Sequence, residues 1–477
     1  MTESKEKEKF FSQLEKIIYQ RFDKKEAPSI KSFVEEYYQD VAWEDLAERE
    51  LEDLYGAAIA HWNLAQCRQD RESKINVYNP DLETHGWQSA HSIIEVVTVD
   101  RPFLLNSLTM NLNESGLTCH LIVHPIIDVV RDKAGVLKQS KSNSKVVSES
   151  LIRLEVDRQN SAGHGLKKLA EQVKKVITYN TVVNEDWMAC VEKLKQSATA
   201  LKTCSPKDKN QDIDEALAFL NWLEDDNFLF LGCREYELAK DQEPGGFKII
   251  EGSGRGILRD DLASIPDIDV IPMTETACDF MSEPCPLVVT KATTKSIVHR
   301  PAYMDYVGVK KFNADGEMVG EYRFLGLYTS SAYLVRVGEL PLIRKKIAKV
   351  FAHSKFKEKS HSGKSLMNVL EDLPRDELFH SNDEQLLSLA LGVLKLKERQ
   401  RIRVFARSDR YGRFVSMMVY VPRDRYNTSA RKKMELIIQN QLQADSVDFN
   451  VQFSESIFAR VHFMVHTRTD WDGQFDV

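Results

Sequence analysis

Several groups of residues have types and spacings that suit chemistry. Gly252-Ser253-Gly254-Arg255-Gly256 follows an apolar run, and glycines there would let backbone N–H groups approach a phosphate. The run matches neither G-x-G-x-x-G nor G-x-x-x-x-G-K-[ST], because Ile257 follows and no Lys-Ser/Thr pair does, so a structural turn is expected. His120 and His124 are four apart, which suits a metal pair on a helix. They lie instead in an extended run ending at Pro125, with no third ligand nearby in sequence, and hydrogen-bonded histidines are expected. Lys291, His299, Arg300 and Tyr303 would suit an acidic small molecule, with plain surface charge as the alternative. The strongest local signal is Asp100-Arg101-Pro102-Phe103-Leu104-Leu105. A strand handing over to a helix N-terminus offers N–H donors and a positive dipole end to a carboxylate. In the plainer alternative Asp100 caps the helix, Arg101 faces solvent and the leucines fill the core. No Ser-His-Asp, Cys-His or paired-carboxylate pattern stands out, so no residue is assigned as catalytic and none as a metal ligand.

The elements around that signal are legible from periodicity. Residues 8–70 read as helices, with Phe10, Leu14, Ile17 and Ile18 at helical spacing. From Lys74 the period changes to two, with strands at 75–78 and 92–99. A helix follows, carrying Leu104, Leu105, Leu108 and Leu112 on one face and stopped by Gly116. Residues 117–130 are extended, 138–148 form a Lys- and Ser-rich loop, 151–156 is a strand, and a long helix runs from about 166 toward 201. The order is β-β-α-β-β-α. It recurs at 401–477, where strands at 401–406 and 413–421, joined by a turn at 409–412, are followed by a helix and two more strands. An Asp-Arg pair closes a strand and opens a helix in both copies, which adds Asp424 and Arg425 to the candidates Asp100, Arg101, Pro102, His299 and Arg300. The second copy lacks its last helix, so the chain is expected to continue in a longer protein. Between the copies lie strands at 227–236, 247–251, 287–290, 306–312 and 321–329, the last two flanking an Asn313-Ala314-Asp315-Gly316 turn, an antiparallel sheet of ACT, PAS or GAF type. Helices follow, the last at 384–396 behind a capping box from Ser381 to Glu384.

Bulk properties narrow the function classes. A chain of 477 residues holds roughly three to four ordinary domains. Its 65 basic and 72 acidic residues are interspersed to a net −7, which excludes a nucleic-acid or anionic-membrane footprint. No apolar run approaches the ~20 residues of a membrane span. The start lacks the apolar core of a signal peptide, and seven scattered cysteines without a C-x-x-C pair fit reduced thiols, so a cytoplasmic protein is expected.

The strand, Asp-Arg-Pro, Leu-Leu and Asn-Glu-Ser-Gly-Leu sequence strongly resembles ACT modules, ferredoxin-like units that bind amino acids and pair through sheets and helices. That family commonly has Gly where this chain has Phe103. A wider resemblance is carried by Asp53-Leu54-Tyr55-Gly56-Ala57-Ala58, His120-Leu121-Ile122-Val123-His124-Pro125 and His299-Arg300-Pro301-Ala302-Tyr303. Arg323-Phe324-Leu325-Gly326-Leu327-Tyr328-Thr329-Ser330 and Tyr411-Gly412-Arg413-Phe414-Val415-Ser416 extend it. These resemble the segment N-terminal to the catalytic domain of large bacterial NAD-dependent glutamate dehydrogenases. The resemblance implies an α+β chain of tandem ferredoxin-like, ACT-type modules in permuted ββαββα order, with a helical lead-in and a central antiparallel sheet. The expected divisions are a helical domain at 1–72, a first ACT-type domain at 73–205, a central β domain at 206–335, a helical connector at 336–400 and a further ACT-type domain at 401–477. It also implies a regulatory and oligomerisation role, with an amino-acid effector, a homo-oligomer and the enzyme's own catalytic domain as partners, and no nucleic acid or membrane. No cofactor is expected in this segment, since NAD belongs to the catalytic domain. A ligand-free interaction scaffold and an independent nucleotide-binding enzyme remain the alternatives.

Overall fold

The computed structural model describes residues 2–138, 146–160, 164–206, 213–239, 246–262, 285–396, 401–409, 414–453 and 456–466. Two compact units divide the chain: Met1–Asn184 with Ser296–Pro301, and Glu185–Lys295 with Ala302–Val477.

In the first unit the helical spacing produces α1 (Thr2–Arg21), α2 (Ala27–Tyr38), α3 (Trp43–Ala47) and α4 (Leu51–Ala65). There follow β1 (Lys74–Tyr78), α5 (Leu82–His85), β2 (Ser92–Val99), α6 (Leu104–Glu114), β3 (Cys119–Val123), β4 (Ile126–Arg131), β5 (Leu137–Lys138), β6 (Val147–Val156) and the first part of α7 (Gly165–Thr203). The strands form one antiparallel sheet in the order β1-β2-β6-β4-β5, with β3 also on β6. The extended run expected at 117–130 is split at Pro125, which has no N–H for a ladder; its carbonyl accepts from the Leu151 N–H at 3.1 Å.

This sheet is buried on both faces. Ile94, Val96, Ile152, Leu154 and Val156 meet Leu104, Leu108 and Leu112 of α6 and Leu169, Val173 and Val176 of α7. On the opposite face Val97, Leu121, Val123 and Leu151 meet Leu14, Phe33, Tyr37 and Leu54 of the N-terminal helices. Covering on both faces explains why β2 and β6 read as nearly unbroken apolar runs. Of the loop expected at 138–148, residues 139–145 lie outside the described residues, and Val147 and Ser148 already belong to β6.

The second unit begins with the rest of α7 and with α8 (Ile213–Trp222), which a π-helical turn at Leu223–Asn227 ends. Its first sheet holds β7 (Phe228–Ala239), β8 (Gly246–Ile249), β9 (Arg255–Gly256), β10 (Leu287–Lys295), β11 (Tyr303–Phe312) and β12 (Met318–Tyr328), ordered β10-β11-β12-β7-β8 with β9 on β7. The expected turn between β11 and β12 forms: Asn313 Oδ1 accepts from the N–H groups of Asp315 (3.0 Å) and Glu317 (2.9 Å). Helices α9 (Ser330–Leu334), α10 (Ile343–Ser354), α11 (His361–Asp372), α12 (Arg375–His380) and α13 (Asp383–Leu396) come next. They share a core with Phe219, Phe228, Phe230, Phe324 and Tyr328. The capping box of α13 is shifted one residue from expectation. Asn382 and Gln385 exchange bonds, with Gln385 N–H donating to Asn382 Oδ1 (2.8 Å) and Asn382 N–H to Gln385 Oε1 (3.0 Å). Ser381 instead closes α12, its N–H donating to the Glu377 carbonyl at 3.0 Å.

The last sheet contains β13 (Arg403–Ser408), β14 (Phe414–Pro422), β15 (Ser446–Phe453) and β16 (Phe458–His466), with α14 (Thr428–Leu442) between β14 and β15. Its order is β13-β14-β16-β15, the same as β1-β2-β6 with β3 and β4 in the first unit. The internal repeat is therefore a repeat of topology, and the fold is α+β, with two sheets of the same strand order and further helices behind an N-terminal helical segment. The turn expected at 409–412 falls largely outside the described residues.

Candidate functional site

The β2–α6 junction gathers five of the seven candidate residues. Asp100 does not cap α6. Its N–H donates to the Ser148 carbonyl (2.9 Å), and its Oδ1 accepts from Ser150 Oγ (2.6 Å), which binds the loop to β6. His124 Nε2 stands 3.0 Å from the same Ser150 Oγ. Burial holds the His124 imidazole below its ordinary pKa, against the pull of the Asp100 carboxylate. Arg101 turns back on the strand, donating from Nη1 to the Val99 carbonyl at 3.3 Å. Pro102 supplies a carbonyl that accepts from Asn180 Nδ2 of α7 at 2.9 Å.

Phe103 takes the N-cap position of α6 with φ +65°. That left-handed conformation costs a non-glycine residue roughly 1–2 kcal/mol, and it is one that glycine adopts freely. The Phe103 ring lies 4.4 Å from the His299 ring, centroid to centroid, and His299 is itself left-handed at φ +74°. Ser107, buried on the apolar face of α6, joins the two segments: its Oγ donates to the Phe103 carbonyl (2.6 Å) and accepts from the His299 N–H (3.0 Å). His299 Nδ1 is buried with no hydrogen-bond partner among the described residues. Burial, and then the Arg300 charge, push the His299 pKa down. A neutral imidazole and a helix N-terminus at this place can hold and orient a small anion.

Ser107 and Asn180 were not singled out from sequence. A serine on the same stripe as Leu104 and Leu108 was the available signal for the first; the second, 78 positions from Pro102, had none. Asn180→Ala is expected to weaken the first unit by about 1–2 kcal/mol, seen as faster hydrogen exchange in α6; unchanged protection there would show that this bond does not hold the junction.

Other sequence expectations are redistributed. Lys291 and Tyr303 have acidic partners of their own within the second unit. Residues Ser296–Pro301 belong to the first unit, while Lys291 Nζ is buried against Asp305 (2.6 Å) and Asp376 (3.2 Å). Tyr303 donates its hydroxyl to Asp448 Oδ2 at 2.8 Å. Asp424 and Arg425 lie on an exposed 3-10 turn of the second unit, Arg423–Arg425, followed by Asn427 as the cap of α14. The glycine loop at 252–256 is a structural turn. Its Gly256 N–H is taken by Asp186 Oδ2 and its Gly252 N–H by Asp260 Oδ2, both at 2.7 Å. His120 bonds to Asp157 at 2.8 Å. Among the described residues no group of three or more His, Cys, Asp or Glu could hold a metal ion, and no helix is long and apolar enough to cross a membrane.

Comparison with known proteins defines the class of these modules. The glutamate dehydrogenase ACT1 domain family matches residues 33–173, its helical motif 1 matches 340–399, and its ACT2 domain matches 403–477. The chain is similar to the NAD-specific glutamate dehydrogenase of Pseudomonas aeruginosa, 37% identical over 472 residues, covering 98% of this chain and 29% of the relative. The Halomonas elongata enzyme of the same name is 33% identical over 475 residues, with 98% and 29% covered. The Mycobacterium tuberculosis enzyme is 31% identical over 415 residues, with 85% and 24% covered. The chain thus corresponds to the ACT-domain-containing region of these much longer proteins, and spans about three-tenths of their length.

Proposed function

We propose that this chain is the regulatory and assembly segment of an NAD-dependent glutamate dehydrogenase, an enzyme that deaminates L-glutamate oxidatively to 2-oxoglutarate in amino-acid catabolism. The observation that carries this reading is the repeated ACT-type sheet order in a chain whose family matches are ACT domains and a helical motif. NAD is held by another part of the enzyme. An amino-acid effector binds at the β2–α6 junction, where Asp100, Arg101, Pro102, His299 and Arg300 shape the loop; Asp424 and Arg425 mark the equivalent turn of the second module. Binding that differs between two arrangements of the modules then shifts the activity of the distant catalytic site, as allosteric coupling requires.

A second reading is a ligand-free scaffold that pairs subunits through its sheets. Phe103 favours it, because its ring occupies space that a glycine would leave for a ligand backbone. Isothermal calorimetry of the chain against the twenty amino acids separates the two. A saturable heat with at least one of them, lost in His299→Ala, is the expected result. Silence across the panel, with a stable oligomer in light scattering, leaves the scaffold.

A further inference from the structure

Strand β13 ends the last sheet and, among the described residues, pairs on one side only, in continuous register with β14 from Arg403↔Tyr420 to Ser408↔Val415. Along its other side runs a groove of about 1070 Å³, walled by β13 and α13. Helix and strand approach closely at Gly392, where an added Cβ would collide with the Phe405 ring. Leu387, Leu391 and Phe405 give the groove an apolar lining, and all three are half-buried. Its buried polar members, Glu377, Arg407 and Ser416, are bonded to one another and so carry little net charge.

The rim is different. Lys395, Arg401 and Arg403 are exposed, and none is in an ion pair among the described residues; the acidic member of the rim is Glu384. A local excess of positive charge on a chain of net charge −7 selects for an acidic occupant and against a second copy, which would bring the same cations face to face. An edge strand beside a helix, with pockets for alternate side chains, is the geometry of strand addition.

We propose that β13 and α13 form a docking site for an extended acidic segment of a partner polypeptide. The segment adds to β13 as a further strand, sets alternate apolar side chains against Leu387, Leu391 and Phe405, and turns its carboxylates toward Lys395, Arg401 and Arg403. At ~3.3 Å per residue, a strand matching β13 is about six residues long.

Fluorescence anisotropy with a labelled octapeptide of alternating aspartate and isoleucine tests this. Saturable binding that weakens in 0.5 M salt is expected, falling roughly tenfold or more in Arg401→Glu/Arg403→Glu. The same peptide N-methylated at alternate residues is expected not to bind, because its main chain cannot complete the ladder. Both substituted residues are exposed, and circular dichroism checks that the variant is folded. The proposal is overturned by absence of saturation, by undiminished binding to the charge-reversed variant, or by equal binding of the N-methylated or a lysine–isoleucine peptide. It is also overturned if the chain alone sediments as a dimer that the two substitutions disperse, since the occupant is then a second copy.

Discussion

Replacing Glu149 by alanine is expected to cost the first unit about 3–5 kcal/mol, because it leaves two inward-facing guanidinium groups without their counter-ion. The Glu149 side chain is 0% exposed, and Arg68 and Arg131 are 3% and 10% exposed. Arg68 donates from Nε (2.9 Å) and Nη2 (2.8 Å) to Oε1, and Arg131 from Nη2 to Oε2 (2.6 Å). Arg131 Nε also donates to Oε1 (2.6 Å), and main-chain carbonyls take Arg68 Nη1 at Glu72, Arg131 Nη1 at Gly135 and Arg131 Nη2 at Ala65. One carboxylate on β6 therefore ties the end of α4 and strand β4 to the sheet. Burial works to raise its pKa, but the hydrogen bonds and charges of Arg131 and Arg68 outweigh it and hold the value below the ordinary one. A carboxyl depressed in the folded state stabilises above its unfolded pKa, about 4.3, and loses that contribution as pH falls through the folded value. Hydrogen exchange of the β2 and β6 amides at pH 7 is the measurement, and the gap between wild type and variant should close in acid. A loss under ~1 kcal/mol at pH 7 would mean the cluster is solvated in solution.

The second large effect is expected at Glu377 of α12. Arg407 of β13 donates to it from Nη2 (2.9 Å) and Nε (3.2 Å), Ser416 of β14 from Oγ (2.6 Å), and His462 Nε2 of β16 lies 3.5 Å away. Burial opposes ionisation here too, yet the Arg407 charge first, and then the bond to His462, hold the carboxyl well below the ordinary value. Its contribution is thus also present above the unfolded pKa and lost in acid. Glu377→Ala should destabilise the second unit by about 3–5 kcal/mol, since the buried Arg407 then loses the carboxylate it is bonded to. Replacing both residues, as Glu377→Met/Arg407→Met, should recover most of that loss, because apolar groups of similar volume need no counter-ion. Urea unfolding of the two variants measures this. A double variant as unstable as the single one would show that Glu377 acts through Ser416 and His462, not through Arg407.

These clusters show the limit of what a linear reading reaches. Asp and Glu occur throughout the chain, so nothing in the spacing of Glu149, Arg68 and Arg131, or of Glu377 and Arg407, distinguishes them from solvated charge. Their partners lie 81 and 30 positions away, and only the packing of strands onto helices removes them from water. The same holds for His299 and Arg300, which local sequence places beside Lys291 and Tyr303. They belong to the first unit, where Ser107, 192 positions away, receives the His299 N–H.

Local interactions left the clearer imprint. Apolar residues at periods of 3.6 and 2, proline and glycine at the ends, and an Asp-Arg pair at each strand-to-helix handover disclose the elements, the repeat and the ACT-type class, because each depends on neighbours within a turn or two. The amino-acid sequence by itself determined which segments are helix or strand and which family the chain resembles. Tertiary structure alone decided that Asp100 binds β6 and does not cap α6, that Phe103 takes a glycine's backbone conformation, and that the glycine loop gives its N–H groups to Asp186 and Asp260. The physical reason is that a hydrogen bond or ion pair is chosen by whatever the folded chain brings within reach, and for these residues that lies far away in sequence.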